Sequence, residues 1–286
     1  MSNRKIRRVL QTVQVPMGEM TVGQPLPSGS VQQIDPFLLL HHLHTQTPPG
    51  RKPKETGVGP HPHRGFSPVS YIFEGEMNHQ DSHGNNEMVG PGGVQWMHAG
   101  SGITHSERFT KKFAKEGGLL DMIQLWVNTP AKHKMETPYY LPIKSGDFPK
   151  IETEKADVDL VAGDFQGKKG PAKIFSPQIH LKMEAESGAK ADWEFPRTHN
   201  LLVFVLKGKL KIDGQEINKG DLAWMDESGD NLSWECLEEA RVLIVSGQPL
   251  KEPVSTYGPF VMNTQTEIME ALRDAQAGKM GVLIEE

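Results

Sequence analysis

The chain has 286 residues and a formal net charge of −5, with 29 glycines and 21 prolines that favour turns and short strands. The negative charge excludes a strong field for nucleic acid or anionic lipid, and the length predicts two domains. Cys236 is the single cysteine, which excludes an intramolecular disulfide and a thiolate zinc site and is typical of a reducing compartment.

The amino-terminal residues combine a basic flank with polar alternation. Residues 4–8 carry four arginines and lysines, but residues 9–14 lack the apolar run of a signal peptide. We therefore predict a first strand with a solvated basic flank. No segment approaches the ~20 apolar residues needed to span a bilayer, so the sequence predicts a soluble, cytoplasmic protein without a membrane partner.

The next segment is turn-rich from residue 25 to 36 and apolar from 37 to 43. His41, His42 and His44 come at its end, before a proline-bounded stretch at 45–50. Histidines in such loops are usually solvated, so we expect these three to be exposed and not metal ligands.

Two pairs of potential metal ligands follow, each with a spacing of two residues. His61 and His63 precede a β-branched, aromatic run at 69–73, and His105 and Glu107 follow a glycine turn. Residues i and i+2 of a strand share a face, so two facing strands would bring three imidazoles and one carboxylate together. That set suits iron, manganese, nickel, copper or zinc. Either pair alone is weak evidence for a metal site, because hydrogen-bonded and loop histidines are common.

Pro62 separates the first two histidines. Proline cannot donate to a strand ladder, so this segment is expected at a strand start or at a sheet edge. A polar loop at 79–86 contains His79 and His83, for which solvent exposure is predicted. Further strands at 94–97 and 119–127 complete a pattern of short β-elements, which favours a sandwich or small barrel over alternating βαβ units.

The second half repeats the first in weakened form. Residues 200–208 parallel the strand that ends at Gly75, and residues 219–225 parallel 91–97. Because residues 144–155 are charged and turn-rich, we place the boundary there and predict domains at 1–144 and 145–286.

The repeat lacks the ligand pairs. His199 stands before its strand with Arg197 in place of a partner histidine, and Ser233 and Glu235 occupy the places of His105 and Glu107. Two candidate ligands of four do not make a closed site for a borderline metal. We therefore expect a metal-free second domain, in which His199 is a packed or exposed histidine.

The tail predicts a helix from Thr264 to Ala277. Thr264 and Glu267 have the spacing of a capping box, and Gly278 supplies the stop. The apolar residues that recur at helical spacing are Ile268, Ala271, Leu272 and Ala275. Such a stripe usually docks on a sheet.

Several of these segments together resemble the pirin family of cupins. The resemblance is carried by residues 61–75, 91–97 and 99–107, and also by 35–40, 124–128 and 257–264. It implies an all-β fold of two cupin barrels (double-stranded β-helix or jelly-roll) facing each other. It also implies a carboxy-terminal helix that returns to the first domain.

The resemblance implies His61, His63, His105 and Glu107 as Fe(II) ligands, with Mn, Ni, Co, Cu or Zn as alternatives. Some members of the family are reported to cleave flavonols such as quercetin with dioxygen, releasing carbon monoxide. The expected partners are then O2 and a small aromatic substrate, with Glu107 taking the substrate's proton. The alternative is a non-catalytic, iron-dependent redox sensor that binds a transcription factor or a metabolic enzyme. Direct contact with nucleic acid is not expected in either case.

Overall fold

Strands dominate the computed structural model of the chain, which describes residues 2–17 and 20–285. The first twelve strands are β1 (Ile6–Gln11), β2 (Val13–Met17), β3 (Met20–Leu26), β4 (Phe37–Thr47), β5 (Val58–His63), β6 (Phe66–Glu74), β7 (Met77–Asp81), β8 (Asn86–Val89), β9 (Val94–His98), β10 (Ile103–Phe109), β11 (Gly118–Asn128) and β12 (Tyr139–Ile143). The predicted all-β class is confirmed.

The second half continues in the same manner. Its strands are β13 (Ala156–Ala162), β14 (Asp164–Phe165), β15 (Lys168–Lys169), β16 (Gln178–Ala185), β17 (Lys190–Glu194), β18 (Asn200–Lys207), β19 (Lys209–Ile212), β20 (Gln215–Asn218), β21 (Asp221–Met225), β22 (Asn231–Cys236), β23 (Ala240–Gly247), β24 (Ser255–Tyr257) and β25 (Phe260–Met262). The α-helices among the described residues are α1 (Lys111–Glu116) and α2 (Gln265–Gln276). None of the described helices has the length and apolar character of a bilayer span.

The chain divides into two compact units, each made of two separate stretches of sequence. Unit I comprises Met1–His41 with Phe148–Leu250, and unit II comprises His42–Asp147 with Lys251–Glu286. This division differs from the predicted domains 1–144 and 145–286, because the amino-terminal segment belongs to unit I and the carboxy-terminal segment to unit II. Strand pairing to residues far away in sequence decides such membership, and local sequence patterns do not reveal it.

Unit I is built on a six-stranded sheet of order β1-β21-β18-β23-β16-β13 and a four-stranded sheet of order β17-β22-β19-β20. The predicted first strand forms as β1 and pairs antiparallel with β21, with Leu10 opposite Leu222. The basic flank is not wholly solvated. Arg4 is 2% exposed, and its guanidinium donates to the carbonyl oxygens of His199 and Pro196.

Unit II contains a four-stranded sheet of order β5-β10-β7-β8 and a larger sheet that includes the order β12-β9-β6-β11-β4. Pro62 lies in β5, which is the edge strand of its sheet, as the missing backbone donor requires. β6 is buried along almost its entire length, because its valine, tyrosine, isoleucine and phenylalanine side chains serve both faces. The two sheets place the chemically important side chains of β5, β7, β10 and β11 in one unit.

The carboxy-terminal helix is present where the sequence predicts it. Thr264 is the N-cap of α2, its hydroxyl accepts from the Glu267 amide, and the Glu267 side chain completes the capping box. The buried face of α2, with Ile268 and Ala271, packs in a cluster with Phe260, Met262 and Met280. α2 belongs to unit II. The short helix α1 was not predicted; its N-cap is Thr110, whose hydroxyl accepts from the Phe113 amide.

Candidate metal centre

Three of the predicted ligands converge in unit II. β5 carries His61 and His63, and β10 pairs antiparallel with it so that His105 lies directly opposite His61. Potential ligand atoms of the three imidazoles all lie within 4.8 Å of one another. The ring centroid of His61 is 4.7 Å from that of His63 and 4.3 Å from that of His105. Strand pairing thus places the two sequence motifs in one cluster.

Backbone carbonyls orient the two rings of β5. His61 Nδ1 is 2.8 Å from the carbonyl oxygen of Gly59, and His63 Nδ1 is 3.2 Å from that of Pro259. A carbonyl oxygen only accepts, so each Nδ1–H donates and each neutral ring keeps its lone pair on Nε2. In the neutral form of each ring, Nε2 is therefore the nitrogen available to a metal.

A carboxylate and a second histidine orient His105 in the same way. Asp81 Oδ2 is 2.9 Å from His79 Nε2, so His79 donates there, and in its neutral form the lone pair is on Nδ1. His79 Nδ1 is 3.4 Å from His105 Nδ1, which donates to it and leaves the His105 lone pair on Nε2. That nitrogen is buried and has no hydrogen-bond partner among the described residues. A buried acceptor of this kind fits a metal ion, whose bond would satisfy it.

Burial keeps the imidazole rings of His63 and His105 neutral. Burial, with a smaller contribution from His61, lowers the pKa of His63 to about 3. Burial also lowers the pKa of His105 well below its ordinary value, and the neighbouring His61, His63 and His79 add to the shift. Both imidazoles are therefore unprotonated at neutral pH, which is the state in which histidine binds a metal.

Glu107, the fourth predicted ligand, is buried on β10 but lies outside the group of atoms within 4.8 Å. Its Oε1 accepts from the Ser70 hydroxyl at 3.1 Å, and its Oε2 accepts from Gln124 Nε2 at 2.9 Å. Gln124 and Ser70 are cross-strand partners on β11 and β6. Their side chains hold the Glu107 carboxylate two residues along the strand from His105.

Aromatic side chains form the surroundings. Phe66 and Trp126 pack on His63, with ring centroids at 5.1 and 5.5 Å. Tyr140 stacks on His79 at 3.7 Å, with the rings 2° from parallel. The Tyr140 hydroxyl is buried without a hydrogen-bond partner in the described part of the chain, and burial raises its pKa. Tyr140 therefore keeps its proton, and the negative charge of Glu107 contributes to this shift.

The turn after His63 is held from several sides. Gly65 has φ +88°, and a Cβ there would lie 2.0 Å from the Val261 carbonyl oxygen, so only glycine fits. The buried Lys134 ammonium donates to the Gly65 carbonyl at 2.7 Å, to the Asn128 side chain at 2.6 Å and to the Val261 carbonyl at 3.0 Å. Burial lowers the Lys134 pKa to about 8, so the amine is mainly charged at neutral pH.

Several histidines differ from their predicted environments. His79 is 1% exposed instead of solvated, while His83 is exposed as expected. The signal for His79 was its spacing of two residues from Asp81, which places both on one face of β7. His42 lies on strand β4, not in a loop, and is buried, whereas His44 is exposed. His41 is half-buried, and its Nε2 donates to Gln24 at 2.9 Å.

The repeat positions in unit I have other contacts. His199 is 5% exposed, and its Nδ1 lies 3.0 Å from the Ser246 hydroxyl. Arg197 is exposed and donates to Ser2. Ser233 and Glu235 lie on β22, opposite Asp192 and Lys190 of β17. His199 is thus a packed histidine.

Comparisons with known proteins agree with this architecture. A family model described as Pirin matches residues 19–127, and one described as Pirin C-terminal cupin domain matches residues 180–281. A Pseudomonas aeruginosa protein with a provisional quercetin 2,3-dioxygenase name is 37% identical over 251 residues, 87% of each chain. Human pirin is 33% identical over 268 residues, covering 91% of this chain and 87% of that protein.

Solved structures of related proteins are similar to this chain over most of its length. The crystal structure of a quercetin 2,3-dioxygenase from Acinetobacter baumannii has a TM-score of 0.91 and 36% identity, covering 99% of this chain and 100% of that one. The nickel(II) complex of the Escherichia coli pirin YhhW, at 18% identity, has a TM-score of 0.66 and covers 85% of this chain and 99% of its own. At 18% identity, the similarity to YhhW shows only that the two chains share a fold.

Proposed function

Because this chain belongs to the pirin family of cupins, we propose that it is a metal-dependent dioxygenase acting on a flavonol such as quercetin or a related small aromatic substrate. The observation that carries the proposal is the convergence of three imidazoles whose Nδ1 atoms are all hydrogen-bonded, so that the Nε2 atoms remain for a metal. The similarity to an Acinetobacter baumannii quercetin 2,3-dioxygenase supports the substrate class.

The residues that would hold the metal are His61, His63 and His105, with Glu107 as the fourth ligand. Nitrogen and oxygen donors of this kind suit Fe(II), which we favour, and also Mn, Ni, Co, Cu and Zn. When bound, such an ion supplies open coordination positions for O2 and for a chelating substrate. The buried Nε2 of His105 supports this assignment, because it needs a partner that the described protein residues do not provide.

The protein residues account for substrate orientation and proton transfer. Trp126 is partly exposed and offers an aromatic surface against which a flat substrate can stack, and the buried Phe66 ring packs on Trp126 and supports it. The Glu107 carboxylate is the base that takes the substrate's hydroxyl proton, and Ser70 and Gln124 keep it in place beforehand. The Tyr140 hydroxyl is a donor for a substrate oxygen, since its raised pKa keeps it protonated.

The deciding experiment uses wild-type protein without an affinity tag, loaded anaerobically with Fe(II). Metal content is measured first, and oxygen uptake and carbon monoxide release are then followed with quercetin and a panel of flavonols. We expect flavonol-dependent uptake that the metal-free protein does not show. A flat trace at full metal occupancy would overturn flavonol cleavage and favour the redox-sensing alternative.

A second expected result concerns the chain from Asp81 through His79 to His105. His79→Phe keeps the ring that stacks on Tyr140 but removes the nitrogen that accepts from His105 Nδ1. We expect metal affinity to fall about 10- to 100-fold, as is typical when the hydrogen-bond partner of a ligand is lost. Competition with a chelator measures it. His83→Phe, at an exposed position, is the matched control. Equal affinities in the two variants would contradict the role of His79.

A further inference from the structure

A second cluster of metal-ligand side chains lies in unit II, on the neighbouring strands β4 and β11. It consists of His42, His44 and Asp121, and it shares no residue with the three-histidine cluster. His42 and His44 are two residues apart on β4, so they project from the same face of the strand. Asp121 is on β11, which neighbours β4 in the sheet.

The ligand atoms are already gathered. His42 Nε2 is 2.7 Å and His44 Nδ1 is 3.3 Å from the same carboxylate oxygen, Asp121 Oδ1. Suitable atoms of all three residues lie within 4.8 Å of one another. Metal–ligand bonds of about 2.0–2.1 Å in a tetrahedral site place neighbouring ligand atoms about 3.3 Å apart. The contact of His44 with Asp121 already has this separation, and that of His42 with Asp121 would have to open from 2.7 Å by about 0.6 Å to reach it.

Two of the three side chains are buried, and the third is exposed to solvent. The Asp121 side chain is 4% exposed and the His42 side chain 8%, whereas that of His44 is 43% exposed. The buried pair is thus held by its surroundings, while His44 faces solvent and provides a route for exchange. Glu74 is the cross-strand partner of Asp121 on β6 and brings a second carboxylate to this part of the sheet.

We propose that His42, His44 and Asp121 form a second, solvent-accessible site for a divalent transition metal of the zinc class. Two imidazoles and one carboxylate are borderline-to-hard donors, which suit Zn²⁺, Ni²⁺ or Cu²⁺ better than Ca²⁺ or Mg²⁺. Three protein ligands leave one coordination position to water. An ion bound here cross-links β4 to β11, because its ligands come from both strands. The proposal is independent of the proposed dioxygenase activity.

The test is a zinc titration of untagged protein against a competing chelator. The background is the His105→Ala variant, in which the three-histidine cluster is disrupted. We expect about one equivalent of bound Zn²⁺ in this background, and its loss when His44→Ala is added. The matched control adds His83→Ala instead, which removes another exposed histidine of unit II and should leave the equivalent bound.

Thermal unfolding of the wild-type chain gives a measurement that does not depend on the His105→Ala background. Zinc should raise the melting temperature of the wild type more than that of His44→Ala, because binding to the folded state alone stabilises it. Substituting the exposed His44 leaves the buried pair of His42 and Asp121 in place, so the variant should fold. Equal zinc stoichiometry with and without His44, or equal shifts in melting temperature, would show an ion pair only and overturn the site.

Discussion

Glu107→Gln is expected to reduce flavonol-dependent oxygen uptake by about 100- to 10,000-fold while most of the metal stays bound. The range is the usual cost of losing a positioned general base. Glutamine preserves the shape of the side chain and an oxygen that can coordinate a metal, but it removes both the charge and the basicity. The measurement is oxygen uptake with quercetin, compared at equal metal content.

The structure indicates that this substitution keeps the local hydrogen bonds. The new amide oxygen can accept from Gln124 Nε2, and the new amide nitrogen can donate to the Ser70 hydroxyl, which accepts as well as donates. Glu235→Gln, at the exposed repeat position on β22 of unit I, makes the same change in net charge outside unit II and is the control. Undiminished turnover in Glu107→Gln would exclude Glu107 as the base.

Removal of metal from the three-histidine cluster is the second large effect. His61→Ala and His105→Ala are each expected to lose most of about one bound transition metal per chain, because the remaining ligands hold an open, weakly bound ion. The variants are compared in a His44→Ala background, so that the second proposed site does not contribute to the metal content. Elemental analysis after dialysis measures the occupancy.

His199→Ala is the matched control for this loss. It removes a buried histidine of unit I that contacts Ser246, so any general effect of losing a packed imidazole appears there too. We expect it to retain its metal. Stoichiometric metal in the His61 and His105 variants would disprove the assignment of the cluster, whatever the activity.

The sequence was sufficient wherever a structure depends on neighbours along the chain. The two-residue spacings of His61 with His63 and of His105 with Glu107 place each pair on one strand face, because side chains alternate along any strand. Pro62 indicated an edge strand, since it lacks a backbone donor. Thr264 and Glu267 define the start of α2 through bonds between residues three apart.

The tertiary structure decided which strands meet and in what register. Pairing of β5 with β10 puts His105 opposite His61, and pairing of β10 with β7 brings His79 to His105. The burial of His79 and the meeting of His42 with Asp121 depend on the same kind of long-range contact. Local patterns identify the face of a strand but not its partner, because register is set by turns and by burial across the whole sheet. The sequence therefore identified the three-histidine cluster but not the role of His79 or the cluster of His42, His44 and Asp121. Those contacts depend on strand pairing, which only the tertiary structure shows.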